Sequence, residues 1–249
     1  MNHLKNQLKL AAAMTLALAS LGAASTVRAE DAKPDNEVSF NAAVTTDYRY
    51  RGVSQSRLKP ALQGGADYVN NPSGFYAGTW ISTIKWVKDA KGDGDVEWDL
   101  YAGKKGELAP GISYDVGGLY YFYPSNALAT SANTFELYGQ IGYGPGYIKY
   151  SHSTTNLFGT SNSKNSGYLD VGANLEIGTG MLLNVHVGHQ GVKNNGAFAY
   201  TDYKIGVTKD FGICSVALAA IYADTKAYVS PSGKNLAKTG AVLTVSKTF

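Results

Sequence analysis

The chain has 249 residues, a formal charge of +3, 29 glycines, 18 tyrosines, 7 prolines and a single cysteine, Cys214. This composition excludes a collagen-like or disordered chain, and one cysteine excludes an internal disulfide framework. The excess charge belongs to the first segment: without Lys5, Lys9 and Arg28 the remainder holds 19 basic and 19 acidic residues, so no nucleic-acid surface is expected.

Residues 1–29 read as a secretory signal peptide. Lys5 and Lys9 precede the apolar run 10–19, which is too short to span a bilayer comfortably, and Val27-Arg28-Ala29 places small residues at a cleavage site. Beyond residue 30 no window holds a useful helical period, and period-two alternation recurs instead. It predicts twelve strands at 37–50, 60–70, 74–85, 94–105, 110–123, 132–143, 145–153, 165–176, 181–190, 199–209, 212–223 and 238–249. The links between them alternate strictly between short and long. Asn71-Pro72-Ser73, residues 106–109, Gly144, residues 178–180 and Asp210-Phe211 are short, and residues 51–59, 86–93, 124–131, 154–164, 191–198 and 224–237 are longer and polar. An all-β, up-and-down antiparallel barrel over 30–249 has this rhythm, as transmembrane barrels of the outer membrane do.

Each strand pairs an aliphatic face with a mixed one. Strand 94–105 sets Val96, Trp98 and Leu100 against Glu97, Asp99 and Tyr101, and strand 165–176 sets Leu169, Val171 and Leu175 against Asp170, Asn174 and Glu176. An exterior facing lipid and a wet interior account for both faces. The inward phases then carry Asp47, Arg49, Asp67, Glu97, Asp99, Asp115, Glu136, Lys149, Asp170, Glu176, Asp202 and Lys204 as candidate lumen or selectivity residues. Acids outnumber bases among them, which points to a mild preference for cations. Arg49 and Asp67 are expected to pair. Tyr48, Tyr50, Trp80, Trp86, Tyr120, Phe122 and Tyr150 fit aromatic girdles at the interfaces. In that arrangement TTDYRYRGVSQS, residues 45–56, is the lip of the barrel: Tyr48 and Tyr50 face lipid, and Arg51-Gly52 opens the first outer loop.

No cofactor, metal or catalytic constellation emerges. His186 falls inward and His189 outward, so they share no face for a metal. Lys91-Gly-Asp-Gly-Asp95 lacks the ligand spacing of a calcium loop, and Cys214 reads as a small hydrophobe on the outward phase. The final nine residues, with Ala241, Leu243, Val245 and Phe249 in phase, are similar to the C-terminal signal read by barrel-assembly machinery, although Lys247 departs from it.

Three stretches carry a family resemblance: residues 44–56, residues 60–68 (PALQGGADY) and residues 74–80 (GFYAGTW). They resemble the TorF porin family, most strongly over 38–85. The resemblance implies an outer-membrane barrel of Gram-negative bacteria and brings no catalytic residues. The expected function is a passive channel for small polar solutes or ions, set among lipid and lipopolysaccharide. The alternatives are a closed barrel with a structural or binding role and no conductance, an outer-membrane enzyme, and a soluble periplasmic β-protein whose aliphatic faces pack on each other.

Overall fold

The computed structural model describes residues 34–249; the export segment expected over 1–29 lies outside them. In chain order its strands are β1 (Asn36–Thr45), β2 (Arg49–Tyr50), β3 (Val53–Ser54), β4 (Ala61–Asn70), β5 (Phe75–Thr83), β6 (Val96–Ala109), β7 (Ile112–Phe122), β8 (Thr134–Tyr143), β9 (Gly146–Ser153), β10 (Gly167–Gly178), β11 (Met181–Gly191), β12 (Tyr200–Asp210), β13 (Ser215–Ala223) and β14 (Gly240–Thr248). Twelve of them close into one antiparallel barrel, while β2 and β3 form a small hairpin outside the barrel ladder. A one-turn helix, α1, spans Trp86–Asp89. Each barrel strand pairs with its neighbours along the chain, and β1 closes the ring against β14 with Asn41 opposite Thr248 and Thr45 opposite Thr244.

All twelve expected strands are present, and the strict alternation of short and long links holds. Most boundaries move by one to three residues, and two move by four or more. Residues 106–109 continue β6 and shift register at a bulge near its end, so the turn is Pro110-Gly111. β1 stops at Thr45, five residues before the expected end. The alternation of Tyr48 and Tyr50 continues the β1 phase in sequence, but the chain leaves the wall there and folds inward.

The barrel is inverted relative to a soluble one. Val44, Leu62, Ile81, Leu100, Leu137, Ile148, Ile205 and Leu218 are all exposed on the outside, while Asp47, Glu97, Asp99, Asp115, Glu136, Asp170 and Asp202 are buried on the inside. The aliphatic faces therefore do not pack on each other, as the soluble arrangement requires. Trp98, Phe122 and Tyr120 cluster on the outer face near the long-loop end, and Tyr203 stacks on Tyr222 with ring centroids 6.1 Å apart.

The abundance of glycine has a steric role in the wall. A Cβ on Gly78, Gly103, Gly117, Gly172 or Gly188 would collide with the ring of Tyr101, Tyr76, Tyr138, Tyr147 or Tyr168 on the neighbouring strand. Each inward tyrosine lies across a glycine next door, where only a bare backbone leaves room.

Candidate functional site

The stretch 46–60 carries the centre of the lumen. Its hairpin pairs Arg49 with Ser54 and Tyr50 with Val53. The two residues between, Arg51 and Gly52, have φ of 44° and 79°. Positive φ at both central positions is the two-residue hairpin turn whose twist matches its strands. Gly52 suits it; Arg51 occupies a left-handed conformation that a long side chain seldom adopts. The contacts at its tip hold it there. The Arg51 guanidinium donates to Glu136 Oε2 and Oε1 at 2.6 and 3.0 Å and to Gln190 Oε1 at 2.6 Å. It also lies 4.2 Å from the Tyr168 ring centroid and 4.8 Å from that of Tyr50. The hairpin tip thus bridges β8, β10 and β11 across the interior.

Its base is fastened as firmly. Asp47 accepts from Arg49 Nε and Ser54 Oγ, each at 2.5 Å, and from Ser56 Oγ at 3.2 Å. Arg49 also donates to the carbonyls of Gly52, Leu236 and Lys238 at 3.0–3.1 Å, tying the hairpin to the 224–239 loop. Arg57 pairs with Asp89 of α1, a contact that holds the exposed guanidinium pKa above its ordinary value. In the same loop, a 3.0 Å bond from Lys88 holds the Asp95 carboxyl below the usual carboxylate range. This pair occupies one carboxylate of the Lys91–Asp95 loop.

Around the hairpin the buried candidate carboxylates, with half-buried Asp67, are distributed over the wall, and each but one has a donor. Glu97 accepts from Tyr48 Oη at 2.8 Å, Asp115 from Tyr76 at 2.6 Å, and Asp67 from Tyr101 at 2.6 Å. Asp170 and Asp202 flank His186: Nδ1 is 2.9 Å from Asp170, and Nε2 is 3.1 Å from Asp202. Tyr168 completes Asp202 at 2.9 Å. Asp99, on β6 beside Glu97, is fully buried and neither of its oxygens accepts a bond. Glu176 stands apart from this group, exposed near the short-turn end of β10. Lys149 projects over the Tyr138 ring, 4.2 Å from its centroid, and Lys204 stands opposite His186 in the β11–β12 register.

Several expectations are corrected here. Arg49 pairs with Asp47, not Asp67, because the chain turns off the wall after Thr45 and places the two side by side. Tyr48 is buried, not lipid-facing; it packs edge-on against Trp80 at 5.4 Å. Tyr50 is also inside, bonded to Tyr121 at 2.6 Å. Trp80 is only 3 % exposed and belongs to the interior rather than to a girdle. Its strand parity, shared with Tyr76, Gly78 and Ser82, is the signal that places it. Trp86 sits in α1 against Tyr123. Arg51, expected to open an outer loop, is the tip of the inserted hairpin; the Arg-Gly turn was the cue.

Aromatic packing fills the β4–β8 side of the lumen with Tyr48, Tyr76, Trp80, Tyr101, Tyr121 and Tyr138. Between this packing, the hairpin and the remaining strands a cavity of about 330 Å³ remains, bordered on the packed side by Trp80, Leu119, Tyr121 and Tyr138. Its wall is small and neutral along β13 and β14 (Ala217, Ala219, Ile221, Val242, Thr244) and polar along β9 to β12 (Tyr147, Lys149, Asp170, His186, Lys204).

Solved structures resemble the fold to differing degrees. The structure of the KdgM porin superposes with a TM-score of 0.56 at 6 % identity, covering 85 % of this chain and 98 % of that one. LpxR from Salmonella typhimurium superposes at 0.42 with 12 % identity, over 85 % and 99 % of the two chains. A double mutant of Rh. blastica porin superposes at 0.39 with 14 % identity, over 75 % and 55 %. No curated protein matches the sequence. The family model described as "Bacterial protein of unknown function (Gcw_chp)" matches residues 29–249. With all of its described residues inside that match, the chain belongs to the Gcw_chp family.

Proposed function

We propose that this chain is an outer-membrane porin of small bore, a passive channel for small polar solutes or ions, with the inserted hairpin as its constriction. The observation that carries this reading is the inverted barrel: aliphatic side chains cover the outside while charged and hydroxyl groups surround an internal cavity. A membrane tolerates such a wall because every strand is paired and the apolar face meets lipid. The TorF resemblance over 38–85 and the porin-like fold support the same function. In this reading residues 1–29 direct export, bilayer lipid and lipopolysaccharide surround the barrel, and β14 with the Phe249 that follows it is read by the assembly machinery. No catalytic role and no cofactor form part of it.

The test is single-channel recording from purified protein without residues 1–29 in a planar bilayer. Discrete conductance steps are expected, smaller than those of wide porins because the hairpin occupies part of the bore. Silence from folded, inserted protein defeats the channel reading. It favours instead a closed barrel with a structural or binding role, a reading supported by the filled β4–β8 side of the lumen.

A further inference from the structure

We infer that the open half of the lumen is an anion site, lined so that the channel passes small anions in preference to cations; the inference rests on the channel reading above. Counting inward acids and bases along the strands suggests the opposite preference. The count misleads because it ignores depth.

Among the side chains that line the cavity are four of Lys or Arg type, Arg49, Arg51, Lys149 and Lys204, against two carboxylates, Asp47 and Asp170. Both carboxylates are already engaged, Asp47 by Arg49 and two serine hydroxyls, Asp170 by His186 and Tyr147. The other acids of this region are set back from the cavity. Glu97, Asp99, Glu136 and Asp202 are at most 2 % exposed and do not line it. Tyr48 caps Glu97, Arg51 and Tyr121 cap Glu136, and Tyr168 caps Asp202.

Lys204 is the converse case. Among the described residues it makes no hydrogen bond or close ion pair, the charge acting on it is that of Asp170, which His186 and Tyr147 already engage, and it borders the cavity. An ammonium that borders the lumen with no anion bonded directly to it recruits a mobile one or water. Tyr147, Asn174 and Asn184 border the same space and supply uncharged polar groups. Charged side chains lining a narrow, low-dielectric passage set its ion preference, Lys and Arg favouring anions. The volume suits a halide or a short carboxylate. The carboxylates farther back shape the wall and orient the tyrosines; Arg49 and Arg51 are held by Asp47 and Glu136, and Lys149 and Lys204 border the space of the passing ion.

The experiment is the reversal potential of the reconstituted channel across a potassium chloride gradient. Wild type is expected to pass chloride more readily than potassium. Lys204→Glu is expected to lower the chloride-to-potassium permeability ratio several-fold, and Lys204→Gln to lower it less. Lys193→Glu makes the same charge change in an exposed loop and is expected to leave the ratio unaltered. Heat-modifiable gel mobility establishes that each variant is folded, and Lys204→Gln serves if the glutamate is not accepted. A conducting wild type that prefers potassium, or a ratio unmoved by both Lys204 variants, overturns the anion site and leaves the channel standing. A folded, inserted protein that never conducts overturns both.

Discussion

At the scale of single residues, two buried carboxylates face opposite fates. Glu136 is matched by a two-pronged bond to Arg51, and removing its charge leaves a guanidinium buried without an anion. Glu136→Gln is therefore expected to cost about 3–5 kcal/mol, read as a lower midpoint for urea unfolding in lipid vesicles. Asp99 accepts nothing, and Trp80 Nε1 on the paired position of β5 has no acceptor. Asp99→Asn is expected to hold or raise the same midpoint, since the carboxyl has no partner for the substitution to break. If Asp99→Asn destabilises as strongly as Glu136→Gln, this account of Asp99 is wrong. The inward phase of both residues was legible in sequence, because parity along a strand fixes the face. Their partners were not, because Arg51 comes from a segment that leaves the wall, and strand parity has no bearing on where such a segment goes.

At the scale of elements, the strands were legible and the hairpin was not. Alternation and turn spacing located all twelve barrel strands within a few residues. The same alternation carried β1 five residues too far, since Tyr48 and Tyr50 keep its phase while the backbone turns inward. The Arg51-Gly52 turn has a further constraint. A Cβ on Gly52 would press on the side chains of Asp202 and Ala223, and its φ of 79° disfavours any other residue. Gly52→Ala is expected to lift the hairpin from the β12–β13 wall and increase unit conductance without unfolding the barrel. Unchanged conductance in the folded variant would show that the hairpin is not the constriction.

At the scale of the whole molecule, the surface decides the solvent. Ile205 stands on the outer face with 55 % of its area exposed. In a barrel set in lipid, Ile205→Arg is expected to cost about 2–4 kcal/mol near the bilayer midplane, measured by unfolding from phospholipid vesicles; on a water-facing surface the change would be nearly neutral. This inside-out character was legible from the pairing of aliphatic and charged faces, and the rhythm of the links oriented the barrel. The closing seam has one more consequence. Phe40 and Phe249 exchange backbone hydrogen bonds of 3.2 and 2.8 Å, at the end where the five short turns lie. The seam stands where a sixth short turn would complete the ring. A brief linker there would make the molecule a circle, and opening any of the five turns instead would give the same barrel a new first strand.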